Sequence, residues 1–481
     1  MTRRRTWLLL AAAVMAAQVI GCRSSPSDVG PSGDRGPAPA KPHPVVLMGL
    51  DGLEWDVVLD MLRAGRLPAL AGLMRQGVFG ELETFIPTWS PAIWTSIVTG
   101  KVPSKHGITG FVHSADEKGV RRLYTNRDRR SKAIWNILTD SGRGVAAIGW
   151  WMTFPVEEIN GVMVAQVNTT TPDAQRGGEG VWKGGLVESL RGQVHPPERQ
   201  PEILSIMRAV EGELPELTKR VFGDLTFGLC ALPRRLWESC MWAFRADAVY
   251  HRIGRELLAP VGTFDLFAIY FGGSDVVGHR FWRYAYPDLY ERRPTDQEID
   301  DLGHLLSDYY AYLDTVVAEF IRAAPAETVF MVVSDHGMVP VNKAGSFPAD
   351  GPPKAVKSGG HGKAPPGIFI AAGPGIRRSK LPKTIEDLAR EDLITLGSVL
   401  DVTPTLLALL GLPVGRDMDG RVMRGIIEPT YLAEHPVEYV RSHDPWLAFD
   451  TAWFGQDSSV SHEGAEELER LEQLRALGYI Q

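Results

Sequence analysis

Three short apolar runs, each closed by glycine and an acid, constrain this chain more than any other feature. Val45-Val46-Leu47-Met48 leads into Gly49-Leu50-Asp51-Gly52. Leu266-Phe267-Ala268-Ile269-Tyr270-Phe271 leads into Gly272-Gly273-Ser274-Asp275. Val329-Phe330-Met331-Val332-Val333 leads into Ser334-Asp335-His336-Gly337. Short runs rich in Val, Ile and Phe, bounded by turn residues, read as parallel strands buried on both faces. Ligands of open α/β sheets bind beyond the carboxyl ends of such strands. The expectation is an α/β fold whose site forms at one sheet edge.

Taken singly, these acids are ordinary. An Asp-Gly after a strand is usually a turn, and a lone His is usually structural. The spacing changes the reading. Asp275 and His279 are four apart, so one helical turn puts them on one face. Asp335 and His336 are adjacent beside Gly337, and His361 lies in Gly359-Gly360-His361-Gly362, where bare backbone permits close approach. Together, Asp51, Asp275, His279, Asp335, His336 and His361 read as the ligands of a two-metal site. Three His and three Asp suit Zn²⁺, with Mn²⁺ as the other candidate.

Ser90 precedes Pro91, and Ile93, Trp94, Ile97 and Val98 recur at helical spacing. Pro91 fits the first helical position and Ser90 the N-cap. A helix start also offers free N–H groups and partial positive charge to a phosphoryl group. The hydroxyl becomes a nucleophile only if a base or metal activates it.

These segments resemble the alkaline phosphatase superfamily, in its type I phosphodiesterase/nucleotide pyrophosphatase branch. The matching stretches are G-L-D-G at 49–52, S-P-A-I-W-T-S-I-V-T-G at 90–100, P-S-K-H-G-I at 103–108, D-V-V-G-H at 275–279, S-D-H-G-M at 334–338, G-G-H-G at 359–362 and D-V-T-P-T-L-L-A-L-L-G-L-P at 401–413. They run in order over roughly residues 44–425. The resemblance implies a three-layer sandwich and a hydrolase of small phosphoesters. It implies Ser90 as nucleophile and metal-contacting residue. It implies one metal on Asp51, Asp335 and His336, and the other on Asp275, His279 and His361. Relatives that cleave nucleotides carry an Asn where Ile93 stands here. The sulfatase pattern, Cys or Ser followed by x-Pro-x-Arg, is absent. Lys101 and Lys105 lie beyond the first turn of the Ser90 helix, and nothing in the sequence ties them or any Arg to the site. The expected preference is for phosphodiester or pyrophosphate bonds, with a monoesterase or phosphotransferase on the same fold as the alternative. A surface lipoprotein with a relic site is the non-enzymatic alternative, and it predicts a missing ligand.

Arg3-Arg4-Arg5 precede an apolar stretch from Trp7 to Ile20, and Val19-Ile20-Gly21-Cys22 follows. The stretch is short for a membrane span and has the form of a signal peptide. Its end resembles a bacterial lipobox, so residues 1–22 read as a lipoprotein signal with Cys22 as the lipidated residue. Residues 23–43, rich in Ser, Gly, Pro and Asp, read as a flexible linker. Membrane contact is expected through the lipid anchor only, on the periplasmic or extracellular side. Net charge is −7 with no basic run after the N-terminus, which argues against binding to nucleic-acid polymers. Cys230 and Cys240 could pair in an exported protein. Their apolar surroundings equally suit buried thiols, and one continuous helix would hold them about 15 Å apart, too far to bond.

The catalytic domain is expected over 44–430, with a mostly helical cap inserted at about 175–260. Gly144 to Trp151 and Ile368 to Ala372 read as further strands, and Ile299 to Ala323 as a crossover helix. Thr403 as cap, Pro404 at N1 and Gly411 at the end frame a late helix. Phe281-Trp282-Arg283-Tyr284 is an aromatic cluster that burial statistics assign to the core. Residues 431–481 read as a C-terminal extension ending in a surface helix.

Overall fold

The computed structural model describes residues 42–114, 124–166, 192–225, 231–258, 264–344, 357–380 and 383–444. Cys22, Cys230, the linker and the tail helix expected at 463–477 lie outside the described residues. The strands are β1 (Val45–Leu50), β2 (Val78–Glu83), β3 (Val145–Ile148), β4 (Gly161–Val164), β5 (Val194–His195), β6 (Leu266–Phe271), β7 (Val329–Val333), β8 (Val339–Pro340), β9 (Gly359–Gly360), β10 (Gly367–Ala372) and β11 (Thr395–Ser398). The helices are α1 (Trp55–Arg63), α2 (Pro68–Gln76), α3 (Ser90–Thr99), α4 (Pro103–His106), α5 (Ile134–Asp140), α6 (Gln200–Phe222), α7 (Ala231–Glu238), α8 (Met241–Leu258), α9 (Gly273–Ala285), α10 (Asp296–Leu302), α11 (Leu305–Ala323) and α12 (Val402–Leu409).

Nine strands form one sheet in the order β11-β2-β10-β7-β1-β6-β3-β4-β5. β7, β1, β6, β3 and β4 run parallel, while β10 is antiparallel to both β7 and β2. The three runs singled out in the sequence are therefore the three adjacent central strands, and each is buried along its whole length. Continuous apolar character is what a strand covered on both faces requires.

Helices cover both faces. Ile269 of β6 faces α8, since a Cβ on Gly254 would come within 2.6 Å of its Cδ1. Its register partner Met48 shares that face. Gly49, one residue on, points the other way, and Trp94 of α3 sits against it with no room for a Cβ. The expected three-layer α/β arrangement with a mainly parallel sheet is thus observed.

Boundaries differ in three places. The crossover expected over 299–323 is two helices, α10 and α11, parted at Gly303-His304. α12 is capped by Asp401, and the Thr403 hydroxyl donates instead to the Ile97 carbonyl at 2.7 Å. The insertion carries the helices α6, α7 and α8, and α8 packs on β6 and β3, with α6 on α8 and α11. It forms part of the helical layer of the sheet. After residue 430 the chain stays attached, with Tyr439–Val440 paired to Val414–Gly415. The aromatic cluster at 281–284 is buried, as core residues are.

Candidate active site

Register brings the acids together. β1 pairs with β6 and β7 so that Leu50 lies beside Phe271 and Gly49 beside Val333. The residues following each strand emerge side by side. Asp51 N–H still donates to the Phe271 carbonyl at 3.0 Å, and Gly52 N–H donates to Asp335 Oδ1 at 3.2 Å. Gly52 has φ +65°, and a Cβ there would lie 2.9 Å from the Cβ of Asp275. This turn needs glycine for both reasons.

α9 begins directly after β6, with Asp275 in its first turn and His279 one turn on. His279 Nε2 lies 3.4 Å from Asp275 Oδ1, and His361 Nε2 lies 3.7 Å from the same oxygen. His336 Nε2 is 3.3 Å from Asp335 Oδ2 and 3.7 Å from Asp51 Oδ1. Two ligand-like groups result, Asp275/His279/His361 and Asp51/Asp275/His336, each with donor atoms within 4.8 Å of one another. The first matches one expected triad. The second differs from expectation: Asp275 joins Asp51 and His336, with Asp335 beside His336. Asp275 therefore stands between the two groups.

The histidine tautomers follow from their partners. His279 Nδ1 lies 2.8 Å from the Gly359 carbonyl and His336 Nδ1 lies 3.0 Å from the Gly337 carbonyl. A carbonyl only accepts, so both Nδ1 atoms carry the proton. The Thr88 hydroxyl donates to the His361 carbonyl at 3.0 Å, so its oxygen accepts from His361 Nδ1 at 2.9 Å. The Nε2 atoms of His279 and His361 then keep inward lone pairs, while His336 Nε2 faces Asp335 and Asp51. His279 and His361 face each other at 3.2 Å between Nε2 atoms. Lone pairs at that distance require a shared proton or a cation.

Charge gives the same picture. Burial pushes the Asp51 and Asp335 carboxyls up to about 8, with repulsion from Asp335 adding at Asp51 and repulsion from Asp275 adding at Asp335. Burial holds His279 and His361 well below the ordinary imidazole value. Asp51 Oδ1, Asp335 Oδ2, His336 Nε2 and Ser90 Oγ are buried and make no hydrogen bond. Native proteins rarely leave such groups unsatisfied. A divalent cation would satisfy all of these groups at once, so the donor set fits one.

Ser90 is fully buried and is the first residue of α3, with Trp89 as N-cap. The capping role is therefore not observed, and Ser90 Oγ is left for other use. Its position follows from its neighbours. Thr88, two residues before, bonds His361, and Trp94, four residues after, donates Nε1–H to Asp51 Oδ2 at 2.9 Å. Along the chain, Ser90 lies between one residue that bonds His361 and another that bonds Asp51.

Several supports went unread in the sequence. The Tyr270 hydroxyl donates to Asp51 Oδ2 at 2.6 Å, and Ser274 Oγ donates to the Asp51 carbonyl at 2.5 Å. Glu54 accepts from Met338 N–H at 2.8 Å and from Arg390 at 2.5 Å, tying the β1 and β7 turns together. Asp247 of α8 accepts from Gly272 N–H, Gly273 N–H and the Tyr309 hydroxyl. Two of these had a signal: Tyr270 is the one hydroxyl in the β6 run, and Trp94 stands one helical turn from Ser90. Lys101 is held by Asp417 and Asp444, and Lys105 by Asp419, so neither turns to the site. Two other cations act on the site: Lys357 and Arg280 both bear on His279, and Lys357 bears on His361 and Asp275 as well.

The profile described as type I phosphodiesterase / nucleotide pyrophosphatase matches residues 45–353, which include every candidate ligand except His361. No curated protein matches the chain. Among solved structures, phosphonoacetate hydrolase from Sinorhizobium meliloti is similar at 17% identity and TM-score 0.37, over 63% of this chain and 58% of that one. The chain thus spans less than two thirds of that hydrolase. Murine ectonucleotide pyrophosphatase/phosphodiesterase 5 is similar at 13% identity and TM-score 0.41, over 77% of this chain and 95% of that one. BT1596, a 2-O GAG sulfatase, is similar at 14% identity and TM-score 0.46, over 84% of this chain and 76% of that one. With nearly two thirds of its length matched by the profile, the chain belongs to the type I phosphodiesterase/nucleotide pyrophosphatase family.

Proposed function

We propose that the protein is a metal-dependent phosphoester hydrolase in which Ser90 is the nucleophile. One observation carries the reading: three imidazole Nε2 atoms and three buried carboxyls converge, and the nearby chain carries a buried, unbonded serine hydroxyl two residues from Thr88, the partner of His361. Asp275, His279 and His361 would hold one ion. Asp51, Asp335 and His336 would hold the other, with Asp275 close to both. Divalent ions there, Zn²⁺ or Mn²⁺ by donor type, would neutralise phosphoryl and leaving-group charge and make the serine hydroxyl more acidic.

The residues supply the rest. Ser90 gives up its hydroxyl proton to solvent, its Oγ attacks phosphorus, a P–O bond to Ser90 forms, and the ester oxygen leaves with the bond electrons and takes a proton from water. Water then cleaves phospho-Ser90 and restores the hydroxyl. Trp94 and Tyr270 hold Asp51 Oδ2, which keeps Oδ1 turned towards His336. The Nδ1 partners fix each imidazole with Nε2 inward.

The family supports phosphodiester and pyrophosphate bonds as substrates. A phosphomonoesterase on the same site is the second reading, and Lys357 is the observation in its favour. We further propose export and lipid anchoring through Cys22. Among the described residues no helix is long and apolar enough to cross a membrane.

The test uses full-length protein stripped of metal and reloaded with Zn²⁺ or Mn²⁺. Turnover of bis-p-nitrophenyl phosphate or p-nitrophenyl phosphate should vanish on stripping and return on reloading. Equal turnover by stripped protein would overturn the metal-dependent reading.

A further inference from the structure

Lys357 lies four residues before His361 and has its backbone pinned on both sides. Its carbonyl accepts from Asn342 Nδ2 at 2.8 Å. The next residue, Ser358, donates its N–H to the His279 carbonyl at 2.8 Å. The Ser358 carbonyl in turn accepts from the Tyr290 hydroxyl at 2.5 Å and from Val341 N–H at 2.8 Å. The lysine stem runs along Gly360, where its Cε would sit 3.7 Å from a Cβ. Lys357 is thus fixed at its base, half-buried, and directed along the strand that delivers His361.

Its ammonium makes no hydrogen bond or ion pair among the described residues. Other buried or half-buried cations are held by carboxylates. Lys101 has two carboxylates, and Arg390 has Glu54 and Glu81. Arg280, which also acts on His279, has interactions of its own. Burial lowers the Lys357 pKa, opposed by Asp275 and assisted by Arg280. A half-buried ammonium without a counter-ion is costly unless an anion arrives to meet it.

The charge balance says which anion. With Ser90 as the neutral hydroxyl, three carboxylates against two divalent ions leave about one positive charge. That suffices for a phosphodiester monoanion. Lys357 adds the charge that a second negative charge on the substrate would need. We propose that Lys357 is the substrate-binding residue for a second negative charge, carried either by the scissile phosphoryl group itself or by a neighbouring phosphate. The preferred substrates are then doubly charged, pyrophosphate-linked or monoester, over simple diesters. This inference rests on the two-metal hydrolase reading above.

The experiment compares metal-loaded wild type, Lys357→Gln and Lys357→Arg. Three substrates are used: bis-p-nitrophenyl phosphate, p-nitrophenyl phosphate and a dinucleoside pyrophosphate. Binding of inorganic phosphate is measured separately by calorimetry. Lys357→Gln should lower kcat/KM about tenfold or more for at least one doubly charged substrate and weaken phosphate binding similarly, while the diester changes less than about threefold. Lys357→Arg should recover most of the loss, because it restores the charge. A loss confined to the monoester assigns the second charge to the scissile group, and one confined to the pyrophosphate assigns it to the neighbour. Equal losses on all three substrates, or none, overturn the proposal. If wild type cleaves none of the three, the hydrolase reading fails, and calorimetry still decides for Lys357. Phosphate binding that Lys357→Gln weakens supports it; binding that is absent or unchanged overturns it.

Discussion

At the residue scale the proposed reaction turns on Ser90. Removing its hydroxyl would delete the proposed attacking atom while leaving the imidazoles and carboxyls in place. Ser90→Ala should lose at least about two orders of magnitude in kcat, with metal content by elemental analysis unchanged. Turnover near wild type would instead make water the direct nucleophile. The candidate ligands were legible in combination, not singly, because their pairing is unusual at strand ends. Asp275 with His279 and Asp335 with His336 are pairs that turn chemistry alone does not call for. Their supports were not legible. Tyr270, Thr88 and Glu54 are common residues in common settings, and their roles depend on partners far away in the chain, such as Thr88 with His361. Lys357 was missed for the same reason: without the β8–β9 pairing and the Ser358–His279 bond, nothing ties it to His279.

At the element scale the three central strands were legible because burial on both faces leaves an apolar run with no alternation. The shared level of their ends was not, since register is set by pairing between distant segments. Helix starts slipped by one or two residues, as at Ser90 and Thr403, where the observed N-caps, Trp89 and Asp401, make no side-chain capping bond for the sequence to reveal. The β6–α9 corner gives a prediction at this scale. Asp247 of α8 takes both corner N–H groups, Gly272 and Gly273, at 3.0 Å each and the Tyr309 hydroxyl at 2.9 Å. Gly273 is packed so closely on Tyr309 that no Cβ fits. Asp247→Ala strands two backbone donors in the core, and each buried unsatisfied group costs about 1–3 kcal/mol. The variant should melt well below wild type. It should also bind metal more weakly, because Asp275 rides on this corner. A melting temperature and metal content equal to wild type would show that the corner holds itself.

At the scale of the whole molecule, attachment and metal-linked stability each carry a prediction. The first is attachment: if Cys22 carries the lipid, Cys22→Ala should shift the protein from the membrane fraction to the soluble fraction, and unchanged fractionation would mean another anchor. The second is that metal binding at the proposed site would be coupled to the fold through protons. In the metal-free protein Asp51 and Asp335 titrate near 8, against an ordinary value of 3.8. Between those pH values the folded state keeps protons that the unfolded chain has released. Stability of the metal-free protein from these groups is therefore fully present below about pH 4 and lost as pH rises towards 8. Metal reverses the demand, because its ligands must be ionised. Metal binding at pH 7 should release about one to two protons, drawn from the carboxyls, since His279 and His361 are already neutral there. The gain in melting temperature on adding Zn²⁺ should accordingly grow from pH 6 to pH 8. Calorimetry in buffers of different ionisation enthalpy counts the protons, and paired melts across that range follow the gain. Proton-free binding, or a gain that does not vary with pH, would mean that the two carboxyls are already ionised before the metal arrives.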